Sequence, residues 1–448
     1  MSSRRKAPNK SNNSIEDNII SILDVSICSK DTRYTNDDRL EFFEAVRAAF
    51  LHPDNVTPPS EQIFKEIFHI LRIGESVELI IDSFCILNEL EKWNPRSHVS
   101  ASNKSAAAKR EWSPFDFGSD VVHRQKNCDR KNKIDLIDST GFHNLIKSLF
   151  EHDKAIQETN NNKLVKNMLL FQYLVNVLEE DFTSRNCVFK ESTNWSVLRE
   201  SSLTNLLNSR LINYKHLIKD SLYLLCAMWR TFTRTSAESY CGAVDQESPY
   251  VTETFGLSEV GYLTCNSLRK LIVLILELDV SRKKADELGS ITRADNVRTP
   301  ILELVIDELS YDRDMISPFL QVFDDPKWKL GFILQYFAKY IPQSSVRTRR
   351  SNSSIEEPNY KWMMKCFATA SCSRNVAKKI GMDVVQDLLS HAFQAQLSLL
   401  EGDKTNVVEV CNSFVSALRT MKNANEKLEI SAIGREALFA ASAIISTM

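Results

Sequence analysis

The chain has 448 residues, 43% of them hydrophobic and 25% charged, and a formal charge of -2 at pH 7. A balance this near neutral gives no global field to draw nucleic acid or an anionic membrane, so any such contact has to be local. Only 11 glycines are present, against an average usage of about 7%. That excludes folds built on tight hairpins or phosphate-cradling loops, which need residues at positive φ.

Residues 1–13 are polar, with Arg4, Arg5 and Lys6 clustered, and are expected to be disordered. Ser14 is placed to cap a helix carrying Ile15, Ile19, Ile22 and Leu23, and Asn36 one carrying Leu40, Phe43, Val46 and Phe50. Thr57-Pro58 opens a third, with Ile63, Ile67, Ile70 and Leu71 on one face. Val77, Ile80, Ile81, Phe84 and Leu87 make a fourth that ends near Asn94-Pro95. Apolar residues three and four apart share one face of a helix, so residues 14–95 predict helical hairpins.

The stretch 96–139 is rich in Ser, Ala, Asn and Lys and reads as a linker holding one island, Trp112-Ser113-Pro114-Phe115-Asp116-Phe117-Gly118. Three aromatics so close together are too apolar to stand in water. They are expected to dock on a helical groove of the chain or on a partner, which makes Trp112, Phe115 and Phe117 candidate contact residues. Helical spacing resumes over 140–230, strongest where Leu164, Met168, Phe171, Val175 and Leu178 align and where 214–229 is apolar nearly all round. Residues 231–262, with Gly242, Pro249, Gly256 and Gly261, predict an irregular insertion.

A helical hub is predicted for 263–345. Residues 281–298 read as a charged loop with Arg282, Lys283, Lys284, Arg293 and Arg298, and Thr299-Pro300, Ser317-Pro318 and Asp325-Pro326 each restart a helix. After Asp325, Leu330, Ile333, Leu334, Phe337 and Ile341 form one row and Phe332, Tyr336 and Tyr340 a second, the pattern of a helix covered on more than one side. The basic and polar loop 346–358 places Arg347, Arg349 and Arg350 in solvent, as candidate contacts to a partner or to DNA. C-terminal helices are predicted within 359–448, at 360–370, 382–400, 405–421 and 435–446. The fold class is therefore all-α, an irregular armadillo/HEAT-like, α-solenoid-like array.

Motifs of chemistry are missing. The ten cysteines are scattered without a C-x-x-C pair, and no H-E-x-x-H, G-x-x-x-x-G-K-[ST] or G-x-S-x-G occurs. No metal, cofactor, small-molecule substrate or catalytic residue is predicted. Asp324 and Asp325 are adjacent carboxylates, but Pro326 after them marks a helix cap. The N-terminus lacks an apolar signal segment, and no apolar run is long enough to span a bilayer, so a reduced compartment without membrane is expected.

Several longer strings are distinctive: Trp112-Ser113-Pro114-Phe115-Asp116-Phe117-Gly118-Ser119, Asn194-Trp195-Ser196, Lys283-Lys284-Ala285-Asp286 and Val297-Arg298-Thr299-Pro300. With them stand Phe319 through Leu330 (FLQVFDDPKWKL), Lys339-Tyr340-Ile341-Pro342 and Val346-Arg347-Thr348-Arg349-Arg350. In these strings the chain resembles the plant family of negative regulators of systemic acquired resistance, the suppressors of npr, inducible. The resemblance implies a nuclear, non-enzymatic, armadillo-like repressor of pathogenesis-related genes. It also implies an accessory subunit of the structural-maintenance-of-chromosomes five-six complex beside an Nse-type co-subunit, with roles in DNA damage response and homologous recombination. A second reading from the residues is direct DNA binding by the basic loops.

Overall fold

The computed structural model of the chain describes residues 10–26, 32–51, 58–96, 112–117, 136–151, 158–241, 250–295, 298–341, 358–400 and 404–447. Among them the only regular elements are helices; a single isolated bridge joins Phe115 to Ile137. The expected all-α array is found. The chain divides into two compact units, one of residues 1–224 and 231–301, the other of 225–230 and 302–448.

In the first unit lie α1 (Lys10–Ser26), α2 (Thr32–Phe50), α3 (Glu61–Ile73), α4 (Val77–Trp93), α5 (Ser139–Glu151), α6 (Glu158–Ser192), α7 (Trp195–Arg199), α8 (Ser202–Asn208), most of α9 (Tyr214–Cys241) and α10 (Tyr250–Glu287). The organising helix is α6, against which α3, α4, α5, α7, α8 and α10 all pack. Its sequence explains why. Leu169, Leu170, Phe171, Tyr173, Leu174, Val175, Val177 and Leu178 are all buried, and within that stretch only Gln172 and Asn176, one turn apart, are polar. A helix apolar over most of its circumference has to be covered on several sides to lose its contact with water.

Alongside α6, α10 runs parallel. Gln172 Nε2 donates to Thr264 Oγ1 at 2.9 Å, Lys270 Nζ to Glu179 Oε2 at 2.7 Å, and Ser281 Oγ to Asn186 Oδ1 at 3.0 Å. Residue numbers rise together along both helices, so these three contacts fix the register of the pair.

The second unit comprises α11 (Ile301–Tyr311, its first residue belonging to the first unit), α12 (Ile316–Val322), α13 (Pro326–Tyr340), α14 (Tyr360–Lys365), α15 (Ala370–Ile380), α16 (Met382–Leu399), α17 (Lys404–Ala424) and α18 (Ala432–Thr447). As expected, Asp325 starts α13: its side chain accepts from Trp328 N at 3.0 Å, and Pro326 occupies the first turn. Phe319, Phe323 and Phe332 pack with ring centroids 4.7, 4.9 and 5.3 Å apart, and all three are fully buried. Such aromatic triads add edge-to-face attraction to the area they bury. On its other flank α13 packs along α16.

Two glycines are required by this packing. Gly381 joins α15 to α16 at φ 107°, where a side chain is strained. At Gly434 a Cβ would lie 3.0 Å from Ile430 Cγ2, 3.2 Å from Ser431 Oγ and 3.3 Å from Gln386 Nε2, so glycine lets α18 approach α16 closely.

Several expectations need correction. Residues 10–13 belong to α1, so the expected disordered terminus is helical there, and 1–9 lie outside the described residues. The predicted irregular insertion 231–262 is helical at 231–241 and 250–262; Gly256 and Gly261 are carried inside α10, because a glycine in a long helix costs only about 1 kcal/mol against alanine. The predicted loop 281–298 begins as the last turns of α10, to Glu287. Within the helical stretch expected over 140–230, residues 195–208 form two short helices, α7 and α8, capped by Asn194 and Ser201. Helix α15 was not anticipated: its polar, cysteine-containing sequence has only Val376 and Ile380 as large apolar residues on its buried side.

Candidate interaction site

The aromatic island is taken up by the chain itself. Trp112 is 5% and Phe115 6% exposed. The Trp112 ring stacks on Phe64 at 6.3 Å and meets the edge of Phe68 at 5.7 Å, both from α3. Phe115 packs on Phe142 of α5 and on Phe117, which stays half-buried. Backbone pairing seals the segment: Asp116 N donates to Ile137 O at 3.0 Å and Ile137 N to Pro114 O at 2.8 Å.

Beneath the island lies a buried polar chain. Trp112 Nε1 donates to Tyr173 Oη at 3.2 Å, and Tyr173 Oη donates to Glu91 Oε1 at 3.2 Å. Arg96 Nη2 donates to the same Glu91 oxygen at 2.8 Å, while Arg96 Nη1 donates to Trp112 O at 2.8 Å. Burial, reinforced by the Glu91 charge, pushes the Tyr173 phenol well above its ordinary value. Burial acts against the Arg96 cation, yet Glu91 outweighs it and raises the guanidinium. Charge-assisted bonds in a dry setting lock the island to the end of α4 and to α6.

A second node centres on Asp295. Oδ1 accepts from Trp195 Nε1 at 2.9 Å and from Arg199 Nε at 2.6 Å. Oδ2 accepts from Arg199 Nη2 at 2.7 Å, Thr292 N at 2.8 Å and Thr292 Oγ1 at 2.9 Å. Burial alone would raise this carboxyl; Arg199, with Thr292 and Trp195, instead holds it well below the usual carboxylate range.

Nearby, Asp279 accepts from Arg298 and, at 2.7 Å, from Ile301 N, and Arg298 lies 5.0 Å above the Tyr214 ring. Arg282 Nη2 donates to Asp295 O at 3.0 Å. Arg282 and Arg298, read from sequence as part of a charged loop, are thus engaged inside the first unit.

Away from these nodes lies an apolar recess of about 270 Å³ lined by Ile146, Lys147, Phe150, Lys219, Asp220 and Tyr223. Asp220 is engaged from behind by His143 Nε2 at 2.8 Å. Among the described residues no group of three or more His, Cys, Asp or Glu is placed to hold a metal, and no helix is long and apolar enough to cross a membrane. The candidate contacts Arg347, Arg349 and Arg350, and the basic stretch 124–133, lie outside the described residues.

Sequence reasoning missed Glu91, Arg96, Tyr173 and Asp295. A signal existed for one of them: Glu91 stands four residues after Leu87, at helical spacing on the buried face of α4.

Residues 90–325 match the family model described as the SNI1 middle domain, and 341–448 match the SNI1 C-terminal domain. The chain belongs to the SNI1 family. A curated relative, "Negative regulator of systemic acquired resistance SNI1" from Arabidopsis thaliana, is 40% identical over 440 residues, covering 96% of this chain and 94% of its own length. No solved structure matches the chain. Within this SNI1-family fold, the distinctive strings around Trp112, Trp195 and Arg298 fall on the three buried polar nodes. The middle-domain match begins one residue before Glu91 and includes all three. Helix α13, the densest of the strings, lies between the two matched regions.

Proposed function

We propose that this SNI1-family protein is a non-enzymatic nuclear scaffold that represses pathogenesis-related genes and restrains systemic acquired resistance. In this reading it acts as an accessory subunit of the structural-maintenance-of-chromosomes five-six complex, in DNA damage response and recombination, held there by an Nse-type co-subunit. The observation that carries the regulatory part is the 40% identity across 96% of the chain to a protein named as a negative regulator of systemic acquired resistance. The geometry agrees with a scaffold. The polar constellations at Glu91, Asp279 and Asp295 are largely enclosed and engaged by the chain's own donors, and so serve to hold helices and loops in place.

The test is replacement. The chain, tagged and expressed in Arabidopsis plants lacking the related protein, is expected to restore low basal pathogenesis-related transcripts and to co-purify chromosome-complex subunits from nuclei. Unrestored transcripts would remove the repressor role. Restored transcripts without those subunits would remove the complex role alone.

A further inference from the structure

We propose that the outer face of α14 and α15 is a contact site for the phosphodiester backbone of nucleic acid, recognising charge without base sequence. Between residues 359 and 382 the chain carries Lys361, Lys365, Arg374, Lys378 and Lys379 and no aspartate or glutamate. In a protein whose total charge is -2, such a run is a local reversal of sign.

Packing brings these cations to the surface together. Helix α14 buries Tyr360 and Met363, and α15 buries Ser373, Val376 and Ile380. Both helices pack against α13 and α17, so their outer faces open away from the same two supports. Lys361, Lys365, Ser371, Arg374, Asn375, Lys378 and Lys379 are exposed. Arg374 and Lys378 stand one turn apart on a single helix face.

Two of the five cations engage other helices: Lys361 lies 3.5 Å from Glu409, and Lys379 Nζ donates to Tyr340 O at 3.1 Å. Lys365, Arg374 and Lys378 have no acidic partner among the described residues. Arg374 donates through Nε to Ala370 O at 3.3 Å, and the residue is exposed.

The chemistry of the face selects the kind of partner. Protein docking sites draw most of their affinity from an apolar or aromatic anchor seated in a pocket. No large apolar side chain of α14 or α15 is fully exposed; Trp362 and Met364 are half-buried, so the face offers no protruding anchor. A phosphate backbone needs none. It is held by lysine and arginine with support from small polar donors such as Ser371 and Asn375. The Arg347 region is not needed for this assignment, nor is membership of a chromosome complex.

The full-length chain is titrated against a fluorescent mixed-sequence DNA duplex by anisotropy. With three phosphates neutralised, affinity is expected to fall on the order of 40-fold as salt rises from roughly 50 to 200 mM. The triple variant Lys365→Gln, Arg374→Gln, Lys378→Gln is expected to lose that binding while keeping its helical circular dichroism and melting temperature, since all three side chains are exposed. A control removing the same charge from the first unit, Lys163→Gln, Lys190→Gln, Lys215→Gln, is expected to bind as the parent does.

The proposal is overturned by absence of binding at low salt, by binding that survives the triple variant, or by equal loss in the control. It is also overturned if polyglutamate displaces the duplex at matched charge, which would point to an acidic protein. Recovery of complex subunits by the triple variant is read separately, so failure of this site and failure of the scaffold reading give different results.

Discussion

Arg96 Nη2 and Glu91 Oε1 meet at 2.8 Å, with both side chains less than a tenth exposed. Two charges removed from water are costly unless each finds full compensation. Here Glu91 also accepts from Tyr173 and Arg96 also donates to the carbonyl of Trp112, while Arg96 Nε is buried without a hydrogen-bond partner, so the compensation is partial. The ion pair therefore clasps a segment distant in sequence onto the end of α4.

Breaking the pair from either side leaves the other charge stranded. Arg96→Ala is expected to destabilise the first unit by about 3 kcal/mol, the scale seen when one member of a buried pair is removed. It should also release residues 112–117, read as a red shift in tryptophan emission and faster proteolysis near Trp112. An unchanged emission maximum would mean that Phe64 and Phe68 hold the ring without the clasp.

Trp112 separates packing from hydrogen bonding. Trp112→Ala, which empties the space between Phe64 and Phe68, is expected to cost about 3–5 kcal/mol. Trp112→Phe keeps an aromatic there and loses the bond to Tyr173, for about 1–2 kcal/mol. Urea denaturation followed by circular dichroism distinguishes the two; equal costs would mean that the indole N–H carries the whole effect.

Acid should act on the two units in sequence. His391 of α16 is 4% exposed, and burial, with Lys329, drives its imidazole down to about 4. A depressed folded pKa means that the unfolded chain binds the proton more readily. The stability it contributes is then present above about pH 6.5 and is lost as pH falls towards 4, by roughly 3 kcal/mol at most. Asp295 in the first unit is also depressed, so its contribution is present above the unfolded carboxylate value of about 3.9 and is lost only at lower pH. His391→Leu is expected to flatten the upper part of the pH-stability curve and Asp295→Asn the lower part. Melting curves taken from pH 7 to 3 check both, and a parental profile in either variant would refute its assignment.

The cap of α13 gives a smaller effect with a definite sign. Asp325→Ala removes the acceptor for Trp328 N and is expected to cost about 1 kcal/mol, whereas Asp325→Asn, still an acceptor, should cost only a few tenths. If both substitutions cost the same, the charge matters and the hydrogen bond does not. Thermal melting of the two variants decides.

Much of this molecule was legible from local chemistry. Apolar spacing located most of the helices, Asp325-Pro326 marked the start of α13, and the clustering of Trp112, Phe115 and Phe117 required that the island be covered. These inferences work because helix periodicity, capping and aversion to water operate over a few neighbouring residues. The same local view misread glycines inside a long helix as an interruption at 231–262, and passed over α15, whose apolar stripe is only two large residues wide. What covered the island was left open between the chain and a partner, and Arg282 and Arg298 were placed with free surface cations.

Tertiary structure decided those points. Trp112 meets Tyr173 across 61 positions and Trp195 meets Asp295 across 100. An acid or a cation alters its role from solvated charge to buried clasp according to which distant residue stands opposite it. Periodicity along one segment carries no record of that pairing, because it is fixed by which helix faces must be hidden together.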